Sequence, residues 1–315
     1  MNNVTIIRPA SREEWLEVRK GGIGSSEVAT IVGLNPWETP YQLWRRKTGL
    51  DEPKQENAAM RNGHYLEDAV SRMWAYATGR EVIKRSAGDW IIRDNDRPYL
   101  QVSPDRIYWL GESRSQGDKG ILEIKTTRMK VDPDDLPKYW FCQVQYQLGT
   151  AGYQQGSLAW LSAGNGFDFG YQDLTLVPDF YEWLVEEVTK FWQDCVIGGK
   201  EPSAVSVKDV VLKYNWHTDG KTIECSDEVF EAYTKLKEVR KEIDALESRK
   251  EELENSIKMA FADAEALSYG GDTIATWKAP KPSNKFDAKA FTADHPELAA
   301  QYTHIQQGAR RFLLK

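Results

Sequence analysis

The sequence has few cysteines, no long apolar run and no excess of positive charge. Its three cysteines, Cys142, Cys195 and Cys225, are far apart in a chain of 315 residues. They form neither a disulfide framework nor a metal-ligand spacing, so we predict a protein of the reducing cytoplasm. No apolar stretch approaches the roughly 18 residues that span a bilayer. Residues 1–10 also lack the basic-then-apolar order of a signal peptide.

The net charge of −7 provides no general attraction to nucleic acid. The acidic excess lies after residue 150, however, and the first 150 residues are nearly neutral. A locally basic groove on an acidic protein is therefore compatible with the composition. The hydrophobic share of 41% and the charged share of 28% are those of a globular protein with a buried core.

Two charged motifs, Ser103-Pro104-Asp105 and Glu123-Ile124-Lys125, each follow a short run of strand-forming residues. Residues 107–110 predict a further strand between them, and the turn-forming residues 111–120 predict a hairpin loop. Alternation along a strand places Glu123 and Lys125 on one face. The hairpin would return that face to the side of Asp105, so that two carboxylates and one ammonium group converge.

Such a grouping is costly unless a cation joins it. Two hard oxygen ligands with open coordination positions suit Mg²⁺ or Mn²⁺. A neighbouring lysine can orient water and offset the charge of a phosphate. Charged residues at strand ends are also common in proteins without such a site, so the motifs alone leave a structural role open.

A glycine-rich loop, residues 19–27, leads into a helix predicted from about Ser26 to Val32. Backbone N–H groups at a helix N-terminus favour an anion, and Arg19 adds a guanidinium that can bind phosphate in a bidentate way. A tight turn with an ordinary serine N-cap explains the same residues. The basic triplet Arg45-Arg46-Lys47, on the following helix, is either a solvated face or a patch that follows a phosphate backbone.

Two further helices carry polar candidates. A helix over residues 58–78 has Glu67 at the margin of its apolar side, where it either pairs with a base or adds a third acid near Asp105. A helix over residues 136–152 contains an amide-rich run that includes Gln143 and Gln145. Buried amides need partners such as a phosphate or a metal-bound water, although a solvent-facing position is equally compatible with either glutamine.

The chain changes character near residues 198–202, which predicts one domain over residues 1–200 and a C-terminal extension over residues 201–315. A long amphipathic helix over residues 228–265 repeats apolar residues at 4-3 spacing. We expect it to pack within the chain rather than to form a free coiled coil. The last residues, 310–315, predict a basic strand.

Five of these stretches, taken in order, resemble the YqaJ-type phage recombinase exonucleases, the family of bacteriophage lambda exonuclease within the PD-(D/E)xK nuclease superfamily. The stretches are residues 19–29, 63–67, 103–105, 123–125 and 143–146. The resemblance covers roughly residues 11–165. It implies an α/β (α+β) fold with a restriction-endonuclease-like core, in which helices flank a central mixed β-sheet.

The resemblance also implies a role for individual residues. The implied metal ligands are Asp105, Glu123, the backbone carbonyl of Ile124 and, at a second ion, Glu67. Lys125 would position the hydrolytic water, and Gln145, or failing that Gln143, would contact the scissile region. The implied contacts to a 5′-terminal phosphate and to DNA are Arg19, Ser26, Ser103 and Arg45.

The implied function is a Mg²⁺-dependent 5′-to-3′ exonuclease, with Mn²⁺ able to substitute. It would resect one strand of linear double-stranded DNA for phage-type recombination by single-strand annealing. The implied partners are DNA ends, a phage single-strand annealing protein and further copies of the chain in a ring-shaped trimer, in a bacterial host cell.

Three alternatives stand beside this function. The same metal core serves structure-specific endonucleases and 3′-to-5′ nucleases. A non-catalytic DNA-binding or scaffolding protein is the third, and the gathering of Asp105, Glu123 and Lys125 argues against it because acidic groups repel DNA.

Overall fold

The structure is a computed structural model that describes residues 3–51, 57–83, 90–111, 118–164, 166–304 and 310–314. The chain divides after Tyr214 into two compact units. The strands of the first unit are β1 (Val4–Ile7), β2 (Val82–Ile83), β3 (Ile91–Asp94), β4 (Gln101–Val102), β5 (Arg106–Trp109), β6 (Lys119–Thr127), β7 (Gln155–Ser162) and β8 (Asp168–Thr175). Its helices are α1 (Arg12–Lys20), α2 (Ser25–Ile31), α3 (Pro40–Lys47), α4 (Ala58–Thr78), α5 (Lys138–Ala151), α6 (Pro178–Lys190), a π-helical segment that continues α6 (Phe191–Ile197), and α7 (Val207–Lys213).

Several helices begin at the caps that the sequence offers. Ser11 accepts a hydrogen bond from the backbone N–H of Glu14, whose carboxylate accepts one from Ala10. Thr39 caps α3 ahead of a proline at its first position, and Asn57 caps α4. Short polar side chains satisfy the N–H groups that a helix start leaves unpaired. The predicted helix over residues 58–78 is therefore confirmed.

The central sheet has the strand order β2-β5-β6-β7-β8. Strands β6 and β7 run parallel, and the other neighbours are antiparallel. This is the mixed sheet that the sequence predicts. Strands β5 and β6 form the predicted hairpin, although most of its loop, residues 112–117, lies outside the described residues. A second sheet, β1-β3-β4, was not predicted from the sequence.

Helices cover both faces of the central sheet. Ile121 of β6 and Leu158 of β7 belong to the core cluster of α2, α5 and α6. Leu122 and Ile124 belong to the cluster of α4, which contains Trp74. Because neighbouring side chains of a strand point to opposite faces, Glu123 and Lys125 lie on the α5 side. This arrangement confirms that the two charged residues share a face and that Ile124 lies on the other.

The boundary between the units lies later than the predicted boundary near residue 200. Helix α7 belongs to the first unit because its buried Asp209 accepts hydrogen bonds from Thr39 at 2.9 Å and Gln42 at 2.6 Å. These side-chain bonds tie residues beyond 200 to α3, which composition alone does not reveal.

The second unit begins at Asn215. Its elements are α8 (Asp227–Phe261), β9 (Ala266–Tyr269), β10 (Asp272–Thr276), α9 (Ala288–Asp294) and α10 (Pro296–Gln301). The turn between β9 and β10 is Gly270-Gly271, both with positive φ, as a two-residue hairpin requires. The predicted strand over residues 310–315 is wrong, because residues 310–314 pair with no strand of the described chain.

The long helix α8 exposes nearly all of its length, and Phe261 is its one buried residue. The prediction that α8 packs within the chain is therefore wrong. The 4-3 spacing of apolar residues predicts that α8 has an apolar side, but it does not predict which other element packs on that side. None of the helices in the described ranges is both long and apolar enough to cross a lipid bilayer.

Candidate active site

The hairpin of β5 and β6 brings the two charged motifs together. Its register pairs Arg106 with Leu122, and one step further along both strands Asp105 stands beside Glu123. The backbone N–H of Ile124 donates to Asp105 Oδ2 at 2.7 Å. This bond fixes the carboxylate at the end of β5, as the spacing of the motifs predicts.

Glu123 is buried and surrounded by donors. Its Oε1 accepts hydrogen bonds from Lys125 Nζ at 2.7 Å and from Gln143 Nε2 at 2.5 Å. Its Oε2 accepts one from Gln147 Nε2 at 2.8 Å. Lys125 Nζ also donates to Gln143 Oε1 at 2.8 Å. Two glutamines one helical turn apart on α5 thus hold both oxygens of the carboxylate on β6.

The electrostatics of this group are those of a site that attracts cations. Burial raises the pKa of Asp105 well above its ordinary value, and the nearby carboxylates of Glu123 and Glu67 raise it further. Burial opposes the charge of Lys125, but Glu123 and Asp105 outweigh burial and raise the pKa of Lys125. Lys125 is therefore an ammonium group that donates hydrogen bonds, not a base that takes a proton.

A cavity of about 460 Å³ opens onto these residues. Its lining joins Asp105, Glu67 and Gln143 to Arg19 and to the start of α2. An adjoining cavity of about 370 Å³ is lined by Lys125 and shares Ser26 and Gln143 with the first. The acidic group and the glycine-rich loop, predicted separately from the sequence, therefore face one space.

Two buried polar atoms at this cavity have no hydrogen-bond partner among the described residues. They are Trp15 Nε1 and Gln101 Oε1. Buried polar groups in folded proteins nearly always have a partner. Because both atoms are inaccessible to solvent, they do not contact the open space of the cavity and do not by themselves indicate a ligand there.

The glycine-rich loop is attached to the second sheet by its backbone. The N–H of Ile23 donates to the carbonyl of Tyr99 at 2.7 Å, and the carbonyl of Ile23 accepts from Gln101 N–H at 3.1 Å. A Cβ on Gly22 would lie 2.5 Å from the Tyr99 carbonyl oxygen, and a Cβ on Gly24 would lie 2.3 Å from the Arg19 guanidinium. Glycine is needed at position 22, where a Cβ would meet backbone, whereas a Cβ at position 24 would displace only the end of the flexible Arg19 side chain.

Glu27 supports this loop from inside. Its Oε2 accepts from Gly24 N–H at 2.8 Å and lies 2.9 Å from Lys47 Nζ, while its Oε1 lies 2.8 Å from Arg46. Burial raises the pKa of Glu27, but the charges of Lys47, Arg19 and Arg46 outweigh burial and lower it to about 2. Lys47 also donates to the carbonyls of Gly22 and Arg19 at 2.6 and 3.2 Å.

Two residues of the basic triplet on α3 therefore support the loop from inside, and neither of these two lies on a solvated face. Arg46 and Lys47 pair with Glu27. Arg45 forms a bidentate pair with Asp51, at 2.9 and 2.7 Å, and lines neither cavity. The DNA contact predicted for Arg45 stays a prediction, although its guanidinium is paired with the carboxylate of Asp51, six residues away.

Arg12 lines the cavity, and so does Arg19. Arg19 Nη2 lies 3.4 Å from Ser26 Oγ and 3.7 Å from Glu27 Oε2. The Arg19 guanidinium lies 4.6 Å from the centre of the Trp15 ring. The Arg12 guanidinium lies 4.0 Å from the same ring centre. Arg19 and Ser26 thus occupy the place that the sequence assigns to them.

Two other predicted site residues, Gln145 and Ser103, form hydrogen bonds within the fold. Gln145 donates to the Thr175 carbonyl at 2.9 Å and accepts from Val177 N–H at 2.8 Å, so it joins β8 to α6. Of the two glutamines considered, Gln143 is the one at the site. Ser103 lines the cavity, but its hydroxyl donates to the Trp90 carbonyl at 2.6 Å, so that proton is not directed to a phosphate.

Glu67 reaches the cavity from the opposite side of the sheet. It projects from α4, where it lies 3.6 Å from Arg106 and 3.4 Å from His64. Across the described residues, no three His, Cys, Asp or Glu side chains form a group close enough to hold a metal ion. The predicted role of Glu67 at a second ion stays a prediction, since Glu67 lines the same cavity as Asp105 and its charge helps to raise the pKa of Asp105.

The carboxylates of Asp105 and Glu123 suit one hard divalent cation. Asp105 and Glu123 provide carboxylate oxygens side by side, and Glu123 Oε2 accepts one hydrogen bond, which leaves it a lone pair. Carboxylate and carbonyl oxygens are the ligands that Mg²⁺ and Mn²⁺ prefer. The backbone carbonyl of Ile124, between the two charged positions of β6, is the third candidate.

Gln147 is the site residue that the sequence interpretation missed. Its signal is the spacing of four from Gln143, which places both amides on one side of α5. The sequence interpretation weighed Gln143 against Gln145 and did not use this helical spacing.

Residues 14–154 match the model of the YqaJ-like viral recombinase domain. Over 319 residues the chain is also 30% identical to the protein YqaJ of Bacillus subtilis (strain 168), covering 97% of this chain and 94% of that protein. The chain belongs to the YqaJ-like viral recombinase family. All five stretches behind the sequence resemblance lie within the matched residues, and the family membership is confirmed.

The solved structures that are similar to this chain are more distant relatives. LHK-Exo, an alkaline exonuclease from Laribacter hongkongensis, was crystallised in complex with dAMP. That structure has a TM-score of 0.47 and 18% identity, over 64% of this chain and 97% of that chain. A phage-related exonuclease from Haemophilus somnus 129PT has a TM-score of 0.41 and 11% identity, over 57% and 96%. Likenesses at this level carry no weight in assigning a function.

Proposed function

We propose that this member of the YqaJ-like viral recombinase family is a Mg²⁺-dependent exonuclease that resects linear double-stranded DNA in the 5′-to-3′ direction. One observation carries the proposal: a single cavity is lined by Asp105 of the acidic group and by Arg19 and Ser26 of the glycine-rich loop. A phosphodiester near a DNA end and the terminal phosphate of the same strand are the two groups that such a cavity suits.

Each side chain has a task that follows from its contacts. Arg19 and the start of α2 would hold the terminal phosphate, since a guanidinium and helix N–H groups both bind phosphate oxygens. Lys125, which stays charged, would attract the scissile phosphate and orient the attacking water. Gln143 and Gln147 would keep Glu123 in place. A divalent cation at Asp105, Glu123 and the Ile124 carbonyl would stabilise charge on the reacting oxygens.

The experiment is digestion of linear duplex DNA that is labelled at either the 5′ or the 3′ end, with Mg²⁺ and with an EDTA control. We expect early release of the 5′ label and single-stranded DNA as the remaining product. Lys125→Ala should abolish this release. Lys130→Ala, an exposed lysine beyond the same strand, is the matched control and should behave as the wild type.

Each other outcome contradicts a defined part of the proposal. Early release of the 3′ label, or internal cuts, would overturn the polarity and the role of Arg19. A folded, DNA-binding protein without metal-dependent cleavage would favour the scaffold alternative. Near-normal turnover of Lys125→Ala would overturn the site assignment.

The proposal extends to partners that the family resemblance implies. A single-strand annealing protein would receive the resected strand, and a ring-shaped trimer would enclose the duplex. Native mass measurement, with and without DNA, tests the trimer, and co-purification with a phage single-strand annealing protein tests the partner.

A further inference from the structure

The second unit presents an unpartnered apolar side along α8. With Val229 as the first a position of a heptad, the a and d positions are apolar over five heptads except at Lys250. The large apolar residues of this side are Val229, Leu236, Val239, Ile243, Leu246, Leu253 and Ile257, and their exposed fractions run from 36% to 66%. A continuous exposed apolar stripe of this length marks an interaction surface.

We propose that copies of this chain associate in pairs through α8 as an antiparallel coiled coil, centred between Asp244 and Ala245, in addition to the contacts of the trimer proposed above. In this register each a residue of one helix faces a d residue of the other. Ile243 faces Leu246, Leu236 faces Leu253, and all five heptads overlap. The surface is self-complementary about a two-fold axis, as a dimer of identical chains requires.

The flanking charges choose between the two possible directions. In a parallel pair, Lys250 would face Lys250 of the second copy inside the core, and the e and g positions would place Lys235 beside Arg240 and Glu242 beside Glu247. Like charges in these positions destabilise a coiled coil. Arg249 beside Glu254 is the one attractive pair that the parallel direction offers among these positions.

The antiparallel direction reverses these signs. It places Arg240 beside Glu247 of the second copy and Glu242 beside Arg249 of the second copy, and the two-fold axis creates each pair twice. Lys250 then faces Val239, and its ammonium lies 3.6 Å from Glu254 on its own helix, away from the apolar side. The surface therefore fits a second copy in one direction only.

The four flanking residues are available for such pairs. Arg240, Glu242, Glu247 and Arg249 form no ion pair within the described part of the chain, although other charged residues of α8 do, such as Lys235 with Glu231. This proposal is independent of the nuclease reaction, since α8 belongs to the second unit and the candidate active site to the first.

Sedimentation equilibrium of the full chain tests the surface. We expect the double variant Ile243→Asp/Leu246→Asp to have half the wild-type mass at the same protein concentration. Thr234→Asp/Ser248→Asp adds the same charge at f positions on the opposite side of α8 and should keep the wild-type mass. Circular dichroism shows whether each variant keeps its helix. A wild-type monomer, or an unchanged mass in the stripe variant, would overturn the proposal.

A charge reversal tests the direction, because the two directions predict opposite signs. Arg240→Glu should weaken association about tenfold in the antiparallel pair, where it faces Glu247 twice, and Arg240→Glu/Glu247→Arg should restore it. In a parallel pair Arg240→Glu would instead face Lys235 and strengthen association. Tighter association of the single variant would therefore exclude the proposed arrangement.

Discussion

The side-chain amide nitrogen of Gln147 lies 2.8 Å from Glu123 Oε2 and thereby joins helix α5 to the carboxylate on strand β6. The same nitrogen lies 3.2 Å from Ser25 Oγ at the start of α2. One amide thus connects the proposed metal ligand with the proposed phosphate-binding loop. A displacement of the loop would therefore change the position of Glu123 through the Gln147 side chain, and a displacement of Glu123 would change the position of the loop.

Gln147→Leu should therefore slow the reaction without unfolding the protein. Leucine has a similar size but donates nothing, so Glu123 Oε2 loses its hydrogen bond. Partners that orient a metal ligand typically contribute about 10- to 100-fold in activity or metal affinity, and we expect a loss of that size. The measurement is turnover as a function of Mg²⁺ concentration. Gln154→Leu, an exposed position after α5, serves as the control, and equal activity of the two variants would contradict the role of Gln147.

Asp105→Asn should stabilise the metal-free protein at neutral pH while abolishing cleavage. Burial and the charges of Glu123 and Glu67 raise the pKa of Asp105 in the folded state. The folded protein then holds this proton more tightly than the unfolded chain, so the free energy of unfolding falls as the pH rises from 3.8 through the raised pKa. The amide carries no charge and avoids this loss.

The measurement is thermal unfolding at neutral pH and at pH 4, in EDTA and in Mg²⁺. In EDTA at neutral pH we expect the variant to melt about 2–4 °C higher, the shift that roughly 1 kcal/mol produces in a domain of this size. The gap should close toward pH 4, and Mg²⁺ should raise the midpoint of the wild type alone. A variant that is less stable at neutral pH in EDTA would contradict the assigned electrostatics.

Lys47→Met and Arg45→Met should differ in stability although the residues are two positions apart on α3. Lys47 is buried against Glu27 and two carbonyls, and the loss of one partner from such a buried group costs about 3 kcal/mol. Arg45 and Asp51 are partly exposed, so their pair contributes about 1 kcal/mol or less. Urea unfolding measures both. Equal costs would contradict the internal support of the glycine-rich loop, and weaker DNA binding by Arg45→Met alone would support its predicted contact with DNA.

Arg19→Ala should remove the preference for 5′-phosphorylated ends. Its guanidinium reaches the cavity beside Ser26, where a terminal phosphate would lie. We expect resection of phosphorylated ends to slow about tenfold or more, because the variant loses one charge-assisted hydrogen bond that contributes about 1.5–3 kcal/mol. Ends with a 5′-hydroxyl should change little. Lys20→Ala, which removes an exposed cation paired with Glu17, is the control, and equal slowing on both kinds of end would count against the clamp.

Local signals in the sequence predict much of the first unit. The period of apolar residues and the caps predict α1, α3 and α4, and the alternation along β6 places Glu123 and Lys125 on one face. Hairpin geometry brings Asp105 to them, since two strands joined by a short loop have few possible registers. The order of the motifs is enough to identify the family, which the comparison with YqaJ confirms.

Other features depend on contacts between distant parts of the chain. The sequence does not tell whether Lys47 points inward or Gln145 points away, because a helix has several polar sides and packing selects among them. Asp209 joins α7 to Thr39, 170 residues earlier in the chain. The boundary between the units therefore lies after Tyr214 and not near residue 200 as predicted. The apolar side of α8 is visible in the sequence, but its exposure is not.

The sequence by itself thus determined which residues carry charge, which strands they lie on and which family they belong to, because these follow from short-range periods and ordered motifs. The tertiary structure decided which of those charges face the cavity and which are used in holding the fold together. That choice depends on burial, and burial depends on elements that are far apart in the chain.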